Sequence, residues 1–244
     1  MTPTQNIHCK NCNTEVHLNY CPNCAQPVKL KRINGHYVLH EIEHVLHFEK
    51  GILYTIRELV LRPGQSIRNF ISENRSRLIK PIIFIIIASL IYTLASHFFH
   101  IDEPVLKAGQ AENTATASII KWIYGHLGYS NIIMGVFIAF WLKLFFRKYD
   151  YNFYEILILL CFAMGIGMLF FAFFVVLQGL THVNLTMVRE LVFFLYCAWA
   201  IGQFFDKKKV VNYVKALIAY LLGMVTFWFC ALLLGQLIDQ IIKH

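Results

Sequence analysis

Residues 81–99 read PIIFIIIASLIYTLASHFF, an apolar run without a single Asp, Glu, Lys or Arg. About 20 residues of α-helix cross the hydrocarbon core of a bilayer. Lipid offers backbone amides and carbonyls no partner, so a spanning segment has to satisfy them within itself as a helix. Four more apolar stretches follow, at about 129–146, 154–177, 191–205 and 211–238. The expected fold class is therefore an all-α membrane protein: a five-span helical bundle carrying whatever the polar amino-terminal third forms. Only 15% of the 244 residues are charged and 57% are hydrophobic, which agrees with this and excludes an ordinary soluble domain.

The formal charge of +8 has a simple place in such a chain. Lys and Arg concentrate in short cytoplasmic loops of membrane proteins. Arg68, Arg75, Arg77 and Lys80 precede the first span, Arg147 and Lys148 follow the second, and Lys207, Lys208 and Lys209 separate the fourth from the fifth. The alternate loops, 100–118 and 178–186, hold Lys107 as their one basic residue beside Asp102, Glu103 and Glu112. The expected arrangement is a bacterial inner-membrane protein with a cytosolic amino terminus and a periplasmic carboxyl terminus. The opening MTPTQN shows no basic stretch leading into an apolar one, so no cleaved signal is expected. Membrane topology accounts for the charge, and nucleic acid is not expected as a partner.

Three segments are expected: a cytosolic zinc ribbon over 1–30, cytosolic amphipathic juxtamembrane helices over 31–80, and the membrane domain over 81–244. In CKNCNTEVHLNYCPNC, Cys9, Cys12, Cys21 and Cys24 form two Cys-x-x-Cys pairs with turn residues inside them. Two thiolates three positions apart reach one ion from a tight knuckle, and two knuckles complete a tetrahedral site. About 25 residues are too few for a core of their own without such a staple. A cytosolic location keeps thiols reduced and favours metal over the alternative of a redox pair or disulfide. One structural zinc per chain is expected, with His8 and His17 near enough to substitute as ligands. Cys161, Cys197 and Cys230 stand alone in apolar runs and read as small hydrophobes.

The stretch HEIEHVLH, residues 40–47, contains the letters of a zinc-protease motif. On a helix, His36, His40, His44 and His47 share one face within an arc of about 80°. Three readings stay open: a polar helix face near the headgroups, a second metal or pH-sensing face, and a catalytic zinc with Glu41 as general base and Glu58 or Glu73 as third ligand. The short polar segment offers no strand to hold a peptide, which weighs against catalysis. The sequences HYVLHEIEHVLHFEKGILYTIRELVL (36–61) and SIRNFISENRSRLIK (66–80) predict amphipathic helices, the first with a break near Gly51 and the two separated by a turn at Pro63-Gly64. Arg62, Arg68, Arg75, Arg77 and Lys80 are expected at lipid headgroups or as topology determinants, two roles that coexist.

Within the spans, Lys143, Glu155, Lys215 and Asp239 lie near ends and are expected to snorkel, and Arg189-Glu190 to form an interfacial pair. Ala163, Gly165 and Gly167 predict a close helix-packing face.

The order of these parts, and above all EKGILYTIRELVLRPG and the NRSRLIKP that leads into the first span, resembles a family of uncharacterised bacterial membrane proteins known as a domain of unknown function. The resemblance is most specific over residues 9–94. The family commonly has a Gly-Lys-Arg stretch where this chain has Glu73-Asn74-Arg75, and similar ribbons place a glycine where Ala25 stands. The five-span layout is also loosely similar to Yip-family membrane proteins. The resemblance implies this architecture and brings no activity with it. The leading functional expectation is a nonenzymatic membrane protein that contacts membrane lipids and recruits or regulates a protein partner on its cytosolic face, with self-association as a further expectation. A channel with a regulatory ribbon, and a membrane-associated metalloprotease, are the alternatives.

Overall fold

The computed structural model describes residues 7–17, 19–28, 51–101 and 114–243. An antiparallel ribbon of β1 (Ile7–His8) and β2 (Glu15–Val16) pairs Ile7 with Val16 and His8 with Glu15. The helices that follow are α1 (Ile52–Leu61), α2 (Pro63–Ser72), α3 (Pro81–Phe98), α4 (Ala115–Gly125), α5 (Leu127–Phe145), α6 (Phe153–Thr181), α7 (Thr186–Asp206) and α8 (Val210–Lys243). Among them, α3, α5, α6, α7 and α8 are the five long and apolar enough to cross a bilayer, as expected of a multi-pass membrane protein.

The bundle is built around α6. Of its most apolar window 72% is buried, against 22% for α8, whose outward side chains face where lipid would lie. The small-residue face of α6 permits this central place. A Cβ on Gly165 would stand 2.7 Å from the Phe84 ring of α3, and one on Gly167 would collide with Phe193 of α7. Phe162 on the same helix meets Phe70 edge-on at 5.2 Å between ring centres and Phe84 at 6.0 Å.

Several boundaries differ from expectation. The turn at Pro63-Gly64 is a single residue earlier: Arg62 leaves helical geometry, and Pro63 opens α2 as its first residue, where its missing N–H costs nothing. Gly64 then lies against the Gln203–Phe204 backbone of α7, with no room for a Cβ. Helix α2 stops at Ser72 instead of continuing to Lys80, because Asn74 Oδ1 accepts from the Ser76 amide at 2.9 Å and its hydroxyl at 2.8 Å and turns the chain. The helix read over 36–61 with a break near Gly51 is described from Ile52 to Leu61, with Gly51 as the N-cap of α1 as that break requires, and residues 36–50 lie outside the described ones.

Three of the four expected snorkelling groups are engaged inside the protein. Glu155 forms a capping box with Asn152 at the start of α6, Lys143 Nζ donates to the Tyr151 carbonyl at 2.6 Å, and Asp239 caps α4 by accepting from the Ala115 and Thr116 amides and, at 2.8 Å, from the Thr116 hydroxyl. Lys215 is exposed. Arg189 pairs with Glu190 as expected, but is 3% exposed and buried against protein. Its guanidinium lies 4.6 Å from the Phe171 ring centre and 3.3 Å from Glu190, since a delocalised cation against aromatic faces needs less water than an ammonium.

The basic loops meet at one end of the bundle. Phe146 stacks on Phe205 at 3.8 Å, Asn212 Nδ2 donates to the Tyr149 hydroxyl at 2.9 Å, and Arg68 reaches the Phe204 carbonyl at 2.8 Å. Residues 147–148, 207–209 and the start of α3 therefore share a side with the ribbon.

Candidate metal centre

Two knuckles of the same geometry build the ribbon. In the first, the Cys9 amide donates to the Thr14 carbonyl at 2.8 Å and the Asn13 amide to the Cys9 carbonyl at 2.9 Å; in the second, the Cys21 amide donates to Gln26 at 2.8 Å and the Ala25 amide to Cys21 at 2.9 Å. An offset of twelve residues superposes one set of bonds on the other. Asn13 at φ 61° and Ala25 at φ 55° hold the left-handed position after each second cysteine. Asparagine tolerates that conformation, whereas alanine is strained in it by about 1–2 kcal/mol. A bridge between Tyr20 and Pro27 closes the second knuckle as β1 and β2 close the first.

The folded knuckles bring the Sγ atoms of Cys9, Cys12, Cys21 and Cys24 within 4.8 Å of one another. Cys9–Cys24, Cys12–Cys21 and Cys12–Cys24 are each 3.5 Å apart. Four sulfurs at about 2.3 Å from one ion in a tetrahedron stand about 3.8 Å from each other, so the set fits a metal closely. A disulfide needs about 2.05 Å, and all four are free thiols. Among the described residues, Cys9 and Cys21 are buried with Val16, and Cys12, Cys24 and Val28 pack against them as the apolar core of the ribbon.

The surroundings prepare the thiolates unevenly. The Thr14 hydroxyl, 3.2 Å from Cys12 Sγ, and the Thr14 amide bring the Cys12 thiol down to about 6. The Asn11 side chain lowers Cys24, and burial pushes Cys21 up to about 11. The two histidines near the site are turned elsewhere: His8 Nδ1 is 3.3 Å from the Asn13 carbonyl, and His17 is 3.9 Å from Glu15.

The ribbon is seated on the turn between α2 and α3. Asn74 Nδ2 donates to Asn11 Oδ1 at 2.6 Å, Gln26 Nε2 donates to the Glu73 carbonyl at 2.9 Å, and Lys10 lies 3.6 Å from the Glu73 carboxylate. Glu73 is thus a partner of Lys10. Asn74 is 5% exposed and Gln26 7%, whereas Lys10 and Asn11 at the edge of the joint are exposed. Asn11, Gln26, Glu73 and Asn74 carry no motif, and only the folded chain reveals their role.

The basic residues fall into two kinds. Arg68 donates to the Gln203 and Phe204 carbonyls, which belong to the last turn of α7 and have no partner within that helix. It caps a helix terminus where a headgroup contact was expected. Arg75 lies partly inside, donating to the Ile71 carbonyl, and Lys80 precedes α3 as its flanking residue. Arg62 and Arg77 reach outward, the first 3.8 Å from Glu58, the second donating to the Tyr54 hydroxyl at 2.6 Å. His36, His40, Glu41, His44 and His47 lie outside the described residues.

Residues 49–93 match the family described as "Protein of unknown function (DUF3667)". The match covers α1, α2, the turn that carries the ribbon and most of α3, in agreement with the resemblance drawn from EKGILYTIRELVLRPG and NRSRLIKP. No curated protein and no solved structure matches the chain.

Proposed function

We propose that this is a nonenzymatic multi-pass protein of the bacterial inner membrane, holding one structural zinc in a cytosolic ribbon and using that ribbon with the juxtamembrane helices to recruit or regulate a protein partner. The observation that carries the reading is the closed four-cysteine set clamped through Asn11–Asn74 and Gln26–Glu73 to the turn that enters the first span. Four sulfurs complete a tetrahedral zinc and leave no position for substrate, which suits an ion that folds its segment. Zinc contributes this without redox chemistry, in a compartment that keeps thiols reduced. The Lys and Arg bias of the loops supports the cytosolic side.

Metal content and partner capture test the two halves separately. Purified protein is expected to hold one zinc per chain, lost in a Cys9→Ser/Cys12→Ser variant. Gentle solubilisation after cross-linking is expected to capture a defined cytosolic partner with wild type and to lose it with that variant. Zinc-loaded protein that ran alone, with nothing above background, would end the recruitment reading and leave the zinc intact.

A further inference from the structure

A second polar feature lies on the same end of the bundle, beside the ribbon but outside its metal set. The last turn of α1, the first two turns of α2 and the segment 74–78 enclose a cleft of ≈ 80 Å³. That is room for several waters or one tetrahedral oxyanion. Its polar wall includes Glu58, Arg62, Ser66, Asn69, Asn74 and Arg77. Glu58 turns its carboxylate to the Ser66 hydroxyl at 3.2 Å and to Arg62 at 3.8 Å. Arg77 gives Nε to Tyr54 and leaves both Nη groups without a hydrogen bond among the described residues.

The Tyr196 hydroxyl donates to the Leu59 carbonyl at 3.0 Å, and Tyr196 lies ten residues before Asp206 ends α7. That bond ties α1 to α7, while α1 packs against α2 and α6. The outward face of α1 carries Leu53 at 77% exposure and Leu61 at 56%, with Tyr54 and Arg57 between them. An apolar face crossed by an arginine that can lift its charge to water describes a helix lying in the membrane interface. Glu58 on the same helix and Arg62 at its C-cap stand next to that face and line the cleft.

The geometry points to a phosphate-binding site in this cleft, in which Arg62 and Arg77 grasp the phosphate of an anionic lipid headgroup or of a soluble phosphoester. Arg62 and Arg77 both line this small space, and a pair of guanidinium groups at one mouth matches a tetrahedral oxyanion better than a planar carboxylate or a lone hydroxyl. Ser66, Gln65 and Asn69 supply neutral polar groups around it. Glu58 is the internal counter-anion: it neutralises Arg62 when the cleft is empty and repels an incoming phosphate. Removing the charge of Glu58 therefore strengthens binding, an effect opposite in sign to removing either arginine. The site shares Asn74 with the seat of the ribbon, but its charged groups are not among the metal ligands.

The test uses full-length protein in neutral detergent, with bound lipid read by native mass spectrometry against phosphatidylglycerol and phosphatidylcholine. Phosphatidylglycerol is expected to be retained in preference, with retention falling about fivefold for each of Arg62→Gln and Arg77→Gln, as for the loss of one cation near an anionic surface. Glu58→Gln keeps a group that can meet Ser66 and is expected to raise retention. Inorganic phosphate at millimolar concentration then separates the sources: displacement of the lipid identifies a soluble phosphoester as the ligand, persistence identifies the headgroup, and both support the site. Equal retention of the two lipids by wild type would overturn it, as would a Glu58→Gln variant that weakened binding as much as the arginine variants do, which would make the three residues a structural ion pair.

Discussion

Asn74 donates from its side-chain amide to Asn11 Oδ1 at 2.6 Å while its own Oδ1 accepts from Ser76, so one buried side chain ties the first metal knuckle to the turn that enters the membrane. Asn11 in turn lowers the Cys24 thiol, which joins the metal set to the same chain of hydrogen bonds. Asn11→Ala and Asn74→Ala are each expected to loosen the ribbon by about 1 kcal/mol, and the double variant by less than the sum of the two, because the bond between them is lost in both. Zinc release to a chelator reads this directly, and strictly additive rates would break the link.

Ala25 sits at φ 55° where a residue with a Cβ is strained. Ala25→Gly is expected to slow metal release and stabilise the ribbon by about 1 kcal/mol, the relief of strain exceeding the added freedom of the unfolded chain. Asn13→Ala, which places a second alanine in the equivalent conformation, is expected to act in the opposite direction. The same chelator assay ranks the three proteins.

The pH at which metal is lost depends on Thr14. A metal binds thiolate, so protons compete only below the pKa of each ligand, and a lowered pKa carries binding to lower pH. Cys12 is held at about 6, with the Thr14 hydroxyl the largest cause. Thr14→Val removes that bond, so its Cys12 regains proton competition at higher pH and metal is expected to leave at a higher pH than in wild type. Zinc occupancy measured across pH 5–8 shows the shift as displacement of the midpoint; coincident midpoints would refute it.

Arg68 reaches two carbonyls at the end of α7 with one fork. Arg68→Lys keeps the charge but not that geometry, and is expected to cost about 1–3 kcal/mol through unsatisfied carbonyls. Arg62→Lys, on an exposed side chain, is expected to change stability by less than about 0.5 kcal/mol. Melting of the detergent-solubilised protein distinguishes them.

Gly64 and Gly223 mark two helix crossings at backbone contact. A Cβ on Gly64 would meet the α7 backbone at Gln203–Phe204, and one on Gly223 would meet Ile138 of α5, its nitrogen at 2.8 Å. Alanine at either is expected to cost about 1–3 kcal/mol by forcing the helices apart. Gly125 faces open space, and Gly125→Ala is expected to be tolerated in the same melting assay.

The five spans and the metal-ligand set were legible in the sequence because each rests on local chemistry. An uncharged run of about 20 residues has to be helical in lipid whatever surrounds it, and paired cysteines at knuckle spacing declare a ligand set without reference to the rest of the chain. The small residues of α6 likewise announced a packing face. Element ends were less legible: α2 ends at Ser72 because Asn74 turns the chain, which hydrophobic periodicity does not register.

Tertiary structure decided what each polar residue meets. Arg68, Glu155, Asp239 and Arg189 all read as groups seeking water at a boundary, and all four are taken up within the protein, three of them at helix ends or beginnings with orphan backbone groups to satisfy. The seating of the ribbon on Glu73 and Asn74, and the cleft between Glu58, Arg62 and Arg77, bring together residues whose hydrogen-bond partners lie dozens of positions away or across a helix turn. Hydropathy is a property each residue carries by itself, so the sequence by itself determined which segments enter the membrane. A hydrogen bond requires two groups to be placed within about 3 Å, so only the folded chain determined which polar groups were paired.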